Sequence, residues 1–191
     1  MIPSYNASNV LPPFKGATPD SRADQSPFQT TMVDVVKRFG TSPERDTILS
    51  GLLDFREVLR DLGYIDGYQW IDGSFVENVE ISRGRPPGDA DVVTVSNRPQ
   101  RMTPDEFERF ADTHFIFDRR HVKDQYKLDA IFIDLNIDGR LIVEDVTFYF
   151  SLFSHQRESF LWKGMLSVPL LSDDEAARAL LLEAGRHAAA A

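Results

Sequence analysis

The sequence predicts an α+β domain of the broad α/β class, in which a small mixed β-sheet is flanked by helices. Helical and extended segments interleave along the chain, in the order helix, strand, strand, helix, strand, helix, strand, helix. Apolar residues make up 42% of the 191 positions and include 14 Phe, which is enough for one core. We therefore expect an extended N-terminal arm over residues 1–30 and a single domain over residues 31–191.

The clearest helix is predicted over residues 43–62. Ser42 suits its N-cap, Pro43 its first helical position and Gly63 its C-terminal cap. Between these caps, apolar residues recur at spacings of 4, 3, 4 and 3, at Ile48, Leu52, Phe55, Leu59 and Leu62. The preceding arm carries five of the 11 prolines, and a short helix is predicted over residues 30–39.

The middle of the chain contains shorter elements. The β-prone run 68–71 predicts a strand, and residues 75–81 are expected to be extended. A Pro-Pro pair within residues 84–88 indicates a turn before the β-branched run 92–95, which is typical of a buried strand. An N-cap Thr, a first-turn Pro and a capping-box Glu open a helix over residues 103–114.

The last third of the chain leaves one choice open. After a strand over residues 128–135, the Asp138-Gly139 pair could turn a β-hairpin. We favour a helix over residues 141–153, because the apolar residues there follow helical spacing, at Ile142, Val146, Phe150 and Phe153. A last strand is predicted over residues 160–170 and a terminal helix from residue 172.

Composition excludes several classes of function. The absence of Cys rules out thiol catalysis, disulfides and Cys-based zinc sites, and fits a cytoplasmic protein. The apolar runs are too short for a membrane span, and the first residues lack the pattern of a secretory signal. Of the net charge of −9, residues 61–150 contribute −8, from 18 acidic and 10 basic side chains. We therefore do not expect a long nucleic acid as a partner, because its phosphates require a basic surface.

One acidic pair remains as a candidate for chemistry. The chain lacks the glycine-rich phosphate loops and the nucleophile elbow, and its four His show no metal-ligand spacing. Among the acidic pairs two residues apart, Asp89 and Asp91 alone enter a predicted strand, where alternate side chains share one face. Two carboxylates so placed can share divalent cations. The alternative is an ordinary turn at the edge of a strand.

The surroundings of this pair carry a family resemblance. An Ile-Asp-Gly-Ser string at residues 71–74 precedes Asp89-Ala90-Asp91, and the later strand supplies Asp129. This arrangement resembles the nucleotidyltransferase superfamily of polymerase-beta-like folds. Residues 69–77 and 89–93 look like an uncharacterised family of minimal bacterial nucleotidyltransferase-like domains, and the resemblance runs from residue 11 to residue 165. Ala90 departs from the pattern, since the superfamily usually carries a larger aliphatic residue there.

The resemblance implies roles for six residues. Asp89 and Asp91 would bridge two Mg²⁺ or Mn²⁺ ions, and Asp129 would bind the acceptor-side metal and help take the acceptor's proton. The triphosphate would be bound by the other three residues, which are Gly73, Ser74 and Lys163.

Asp134 competes with Asp129 for the third carboxylate. The two residues lie five apart in one predicted strand and so face opposite sides of the sheet. Position along the strand favours Asp129, which lies at its start in an apolar–Asp–apolar segment. Asp134 resembles a solvated residue before a turn.

The function implied is that of a Mg²⁺-dependent nucleotidyltransferase. It would transfer NMP from an NTP to an unknown acceptor, either a protein side chain or a small hydroxylated molecule, and the resemblance allows a place in a bacterial toxin–antitoxin or defence pair. The alternative is a catalytically silent nucleotidyltransferase-like module that binds a partner protein or a nucleotide. An intact set of three aspartates favours the enzyme, whereas the short chain, which leaves no room for an acceptor-binding domain, favours a partner.

Overall fold

The structure, a computed structural model, describes residues 1–100 and 102–189 and is an α+β fold built on one mixed five-stranded sheet. The spatial order of the strands is β1-β5-β2-β3-β4. Their bounds are β1 Phe28–Gln29, β2 Gly67–Asp72, β3 Ala90–Ser96, β4 Leu128–Asp134 and β5 Leu166–Pro169. Strand β2 is antiparallel to both of its neighbours, while β3 is parallel to β4 and β1 to β5. The predicted fold class is therefore confirmed; residues 101, 190 and 191 of the predicted domain lie outside the described part.

The helices flank this sheet. They are α1 Met32–Phe39, α2 Pro43–Leu62, α3 Val79–Arg83, α4 Pro104–Thr113, α5 Arg119–Tyr126, α6 Gly139–Phe153 and α7 Asp174–Ala189. Short 3₁₀ turns occupy residues 22–24, 73–76 and 115–117. Of the helices in the described residues, none is both long and apolar enough to cross a membrane.

Two apolar clusters form because side chains alternate along the strands. Ile71 and Val92 face a large cluster that includes residues of α1, α2 and α7. Their chain neighbours, Trp70 and Val93, face the opposite side, where they pack with Phe153 and with partly buried residues of α6. Helix α6 thus covers one face of the sheet, which we call the α6 face, while most of the core lies on the other.

The helix caps predicted for α2 and α4 are present in the structure. The Ser42 side chain accepts a hydrogen bond from the backbone N–H of Arg45, and Gly63 ends α2 in the left-handed region at φ 93°. Helix α4 begins with the complete capping box of Thr103 and Glu106. The sequence left a choice between a hairpin at Asp138-Gly139 and a helix. Asp138 is the N-cap of α6, so this segment is helical.

Two local predictions are wrong, and one helix was missed. Residues 75–81 are not extended; they continue the 3₁₀ turn and then form most of α3. The last strand covers only residues 166–169, because the segment before it bonds elsewhere: the backbone N–H of Lys163 donates to Ser154 and that of Gly164 to Leu11. Helix α5 was not predicted, since it is polar and buries only Val122.

The N-terminal arm lies on the domain. Its Val10 and Leu11 are fully buried, and the Leu11 carbonyl accepts the hydrogen bond from Gly164. The end of the arm, Phe28–Gln29, is the edge strand β1 and pairs with β5. The arm therefore contributes to the sheet and to the core.

A close crossing of α2 and α5 gives a stability prediction. A Cβ on Gly51 would lie 2.0 Å from the backbone oxygen of Tyr126. Gly51→Ala should therefore lower the free energy of unfolding by roughly 1–3 kcal/mol, although alanine is the better helix former. Urea denaturation measures the change.

The matched control is Gly185→Ala in α7, where nothing lies within 4 Å of the added carbon. This variant should be neutral or up to about 1 kcal/mol more stable than the wild type. Equal stability of the Gly51 and Gly185 variants would contradict the close crossing.

Candidate active site

Three aspartates form a row across three neighbouring strands at one end of the sheet. Asp72 ends β2 and is the register partner of Asp91 on β3, and Asp91 is also the register partner of Asp129 on β4. Because register partners point to the same face, the three side chains stand side by side on the α6 face. We call Asp72, Asp91 and Asp129 the aspartate row. The sheet thus brings together two of the three predicted catalytic residues.

Asp89, the third predicted catalytic residue, lies just before β3. Its Oδ2 is 2.5 Å from Nζ of Lys123 on α5. One turn earlier on the same helix, Arg119 donates to Oδ1 of Asp129 from Nε at 2.9 Å and from Nη2 at 2.6 Å. Asp89 and Asp129 are therefore each neutralised by a cation of α5.

Asp91 lies between these pairs and, in the part of the chain that the structure describes, forms no ion pair of its own. It is half-buried, and among the described residues no group donates a hydrogen bond to its carboxylate. Burial raises the pKa of Asp91, and the neighbouring charges of Asp89 and Asp129 raise it further. Of the predicted metal ligands, Asp91 is the one that a positive charge would stabilise most.

The Gly73-Ser74 turn lies directly against Asp91. Gly73 has φ +81°, and a Cβ on it would lie 2.2 Å from Oδ2 of Asp91. Any other residue would push this carboxylate away, so glycine is required both by the backbone and by the contact. Ser74 is half-buried in the 3₁₀ turn that follows. The structure therefore places the predicted phosphate-binding turn beside the predicted metal ligands.

Lys163 does not occupy the surface strand that the sequence predicts. Its side chain is only 3% exposed, and it precedes β5. Its Nζ lies 2.9 Å from Oδ1 of Asp72, 3.2 Å from the Gly73 carbonyl and 3.2 Å from Oε1 of Glu77. Because an ammonium group has three donors, these acceptors can use all of them. The geometry thus favours a positioning role for Lys163, which ties down the Gly73 turn.

The buried charges around Lys163 depend on one another. Burial raises the pKa of Asp72 to about 6, against the opposing effect of the Lys163 charge. Burial alone would lower the pKa of Lys163, but the charges of Asp72 and Glu77 outweigh it and raise that pKa. Glu77 is held in place by Gln156, whose Nε2 donates to Oε2 at 2.8 Å. Buried charges of this kind are tolerated only as a paired set.

The sequence did not identify Glu77 or Lys123 as site residues. Glu77 lies within residues 69–77, the segment that carries the resemblance, but nothing in that segment showed that a distant lysine would bind it. Lys123 lies on the unpredicted helix α5, whose start could have been found from Asp118, an N-cap that accepts from the backbone N–H groups of Arg120 and His121.

The carboxylates of the site are suitable ligands for a hard cation, but they do not yet surround a common metal position. Asp89, Asp91 and Asp129 offer carboxylate oxygens, the ligands that Mg²⁺ and Mn²⁺ prefer, and Asp91 forms no ion pair among the described residues. In the described part of the chain, however, no three acidic or histidine groups are already grouped around a common metal position. Binding would require Lys123 and Arg119 to release their carboxylates.

Removal of the Lys163 charge should destabilise the fold. Lys163→Met leaves Asp72 buried without its cation and leaves Glu77 with Arg83 alone, at 3.6 Å, and we expect a loss of about 3–5 kcal/mol in the free energy of unfolding. The exposed Lys37 on α1 is the control, and Lys37→Met should stay within about 0.5 kcal/mol of the wild type. Chemical denaturation measures both, and equal stability of the two variants would mean that the buried ion pairs do not form.

Comparisons with curated proteins and with solved structures give no match to this chain. The model of a family of unknown function, DUF6932, matches residues 3–169, a span that includes the aspartate row, the Gly73 turn and Lys163. The chain therefore belongs to the DUF6932 family.

Proposed function

We propose that the protein is a metal-dependent nucleotidyltransferase that transfers NMP from an NTP to an acceptor and releases pyrophosphate. One observation carries the proposal. The Gly73-Ser74 turn packs directly against Asp91, and Asp91 has Asp129 as its register partner. Three segments distant in sequence thus converge at one end of the sheet with the residue types that this chemistry requires.

The proposed reaction is an in-line attack of an acceptor oxygen on the α-phosphate of the NTP. Negative charge develops on the attacking and leaving oxygens, and two divalent cations held by Asp89, Asp91 and Asp129 would stabilise it. Asp129 would receive the proton of the acceptor hydroxyl. The absence of a side chain at Gly73 gives the triphosphate close access to the backbone, and Ser74 offers it N–H and hydroxyl donors.

Helix α5 supplies the phosphate-binding charges that Lys163 does not. The side chains of Arg119 and Lys123 are 60% and 53% exposed, and both already lie at the aspartates. Their long side chains can exchange a carboxylate for a phosphate oxygen, because both acceptors are anionic oxygens. In this proposal they neutralise Asp129 and Asp89 before the nucleotide arrives and contact the triphosphate afterwards.

The acceptor is a protein side chain or a small hydroxylated molecule. The central part of the chain, residues 61–150, carries a net charge of −8 and repels a long nucleic acid. A partner protein as acceptor is compatible with a role in a bacterial toxin–antitoxin or defence pair.

A second candidate is a silent module that binds a partner protein or a nucleotide without turnover. The ion pairs Lys123–Asp89 and Arg119–Asp129 favour it, since they already satisfy two of the three proposed metal ligands. The two candidates differ in whether a divalent cation binds and whether label is transferred.

The first prediction concerns cation binding. Mg²⁺ and Mn²⁺ should raise the melting temperature of the wild type in a concentration-dependent way, by the equivalent of about 2.7 kcal/mol at a hundredfold excess over Kd. Asp91→Asn should abolish this response, and its metal-free form should be as stable as the wild type or more so, because it removes a charge repelled by Asp89 and Asp129. Differential scanning calorimetry measures both effects.

The control is Glu183→Gln, at an exposed position on α7, which should respond to the cations as the wild type does. An equal response in the Asp91 variant would exclude the metal site.

The second prediction concerns transfer. With each α-³²P-labelled NTP, Mg²⁺ or Mn²⁺ and a cell lysate, the wild type should label protein or a small molecule. Asp129→Asn should eliminate the labelling but largely preserve NTP binding, since it removes a ligand and a proton acceptor with little change of shape. Asp134→Asn should retain most of both, because Asp134 lies at the far end of β4 and pairs with Arg98.

Failure of the wild type to label anything, together with measurable binding of NTP, would favour the silent module. Activity that survives in the Asp129 variant and is lost in the Asp134 variant would reverse the assignment of the third carboxylate.

A further inference from the structure

The chain between α6 and β5 forms a short loop beside the candidate site. Its two sides are joined by the antiparallel bridge of His155 with Trp162, so the chain reverses its direction here. We call residues 154–163 the α6–β5 loop. All four residues of its tip, residues 157–160, are exposed to solvent. The tip is therefore open to a ligand.

The base of this loop is attached to the residues that hold the Gly73 turn. On one side of the loop, Gln156 donates to the buried carboxylate of Glu77 at 2.8 Å. On the other side, Lys163 binds the Gly73 carbonyl and the same Glu77. The tip thus extends from a fixed base next to the turn that the proposed function assigns to the triphosphate.

Arg157, the first residue of the tip, places a positive charge near the aspartate row. Burial raises the pKa of Asp91, and the charge of Arg157 opposes this effect, so the guanidinium group lies within electrostatic reach of that carboxylate. The Arg157 side chain is exposed and forms no ion pair with any residue that the structure describes. Unlike Arg119 and Lys123, it can bind a phosphate without first releasing a carboxylate.

Phe160, the last residue of the tip, contributes little to the fold. It is 79% exposed, so its ring gains little from burial. Its φ of 55° lies in the left-handed region, which bulky side chains rarely adopt and which glycine would adopt without strain. Strained residues of this kind cluster at ligand-binding sites, where the side chain serves the ligand.

We propose that the tip of the α6–β5 loop binds the NTP, with Phe160 stacking on the nucleobase and Arg157 binding the triphosphate. The inference rests on the proposed function, since it concerns the nucleotide of that reaction. An exposed aromatic ring suits any nucleobase, because every base has a π-face. A guanidinium group suits phosphate, which its planar donors bind at two points. The tip therefore selects nucleotides over bare polyphosphates rather than one base over another.

The test separates the base from the phosphates by comparing two probes. They are a non-hydrolysable ATP analogue and inorganic tripolyphosphate, each titrated with Mg²⁺ into the protein in a calorimeter. Phe160→Ala should weaken binding of the ATP analogue about 5- to 100-fold, the range for loss of one base–aromatic stack, and should leave binding of tripolyphosphate unchanged. Arg157→Gln should weaken binding of both probes about tenfold, because both carry the phosphates.

Two exposed residues of α6 provide matched controls outside the loop. Phe148 is 61% exposed, and the side chain of Arg140 is 91% exposed. Phe148→Ala and Arg140→Gln should bind both probes within about twofold of the wild type.

Two further variants separate a role in binding from a role in the fold. Phe160→Tyr keeps an aromatic ring and should retain the affinity for the ATP analogue. Phe160→Gly should bind the analogue as weakly as Phe160→Ala does, yet melt at the temperature of the wild type or above it, since glycine suits this φ. A lower melting temperature in Phe160→Gly would show that the phenylalanine supports the fold instead.

The outcomes distinguish this inference from the proposed function. Undiminished binding of the ATP analogue by Phe160→Ala would overturn the role of Phe160 and leave the proposed function standing. Equal affinities of the wild type and Arg157→Gln for tripolyphosphate would overturn the role of Arg157 alone. Failure of the wild type to bind either probe would overturn the proposed function, and this inference with it.

Discussion

The buried ammonium group of Lys163 is the interaction on which the geometry of the candidate site depends. It neutralises Asp72 and Glu77 and binds the carbonyl of Gly73, so it connects the end of β2 to the turn that follows. Without it, Asp72 would be a buried carboxylate with no ion-pair partner among the described residues, and Glu77 would keep only Arg83, 3.6 Å away. Such a loss costs far more than an ordinary surface substitution. The positive charge of Lys163 therefore stabilises the fold instead of binding a ligand.

A second buried cation holds the same turn from the opposite side. Arg45, near the start of α2, donates to the carbonyls of Phe75 and Glu77, both at 2.7 Å, and pairs with Glu80 on α3. The residues after Gly73 are therefore fixed to α2 by Arg45 and to the segment before β5 by Lys163. A loop fixed on both sides loses little conformational entropy when a ligand binds, which is a property expected of a preorganised site.

The sequence predicted the parts of the molecule whose signals are local. The caps and apolar spacing of α2 and the β-branched run of β3 each depend on neighbouring residues, and each appears in the structure. The expectation that Asp91 and Asp129 lie together came from the resemblance to nucleotidyltransferases. Helix α5 was missed because it is polar and buries a single side chain, which leaves the Asp118 N-cap as its local signal.

The prediction of a surface position for Lys163 was wrong because its burial depends on residues distant in the sequence. A lysine in a short β-prone segment is ordinarily exposed, and neither its charge nor its neighbours reveal that two distant carboxylates will enclose it. Its burial follows from where the chain crosses, since Gly164 packs against the arm: a Cβ there would lie 2.4 Å from the carbonyl oxygen of Pro12.

The ion pairs made by α5 favour the silent module only weakly. The cations of both pairs are more than half exposed, and such pairs contribute about 0–1 kcal/mol each because water screens them. Freeing Asp89 from Lys123 and Asp129 from Arg119 would together cost at most about 2 kcal/mol, roughly the stabilisation that a cation provides at thirtyfold its Kd. Asp91 adds a gain, since a cation would relieve the repulsion that raises its pKa. The closed pairs are thus compatible with a site that a nucleotide and its cations open as they bind.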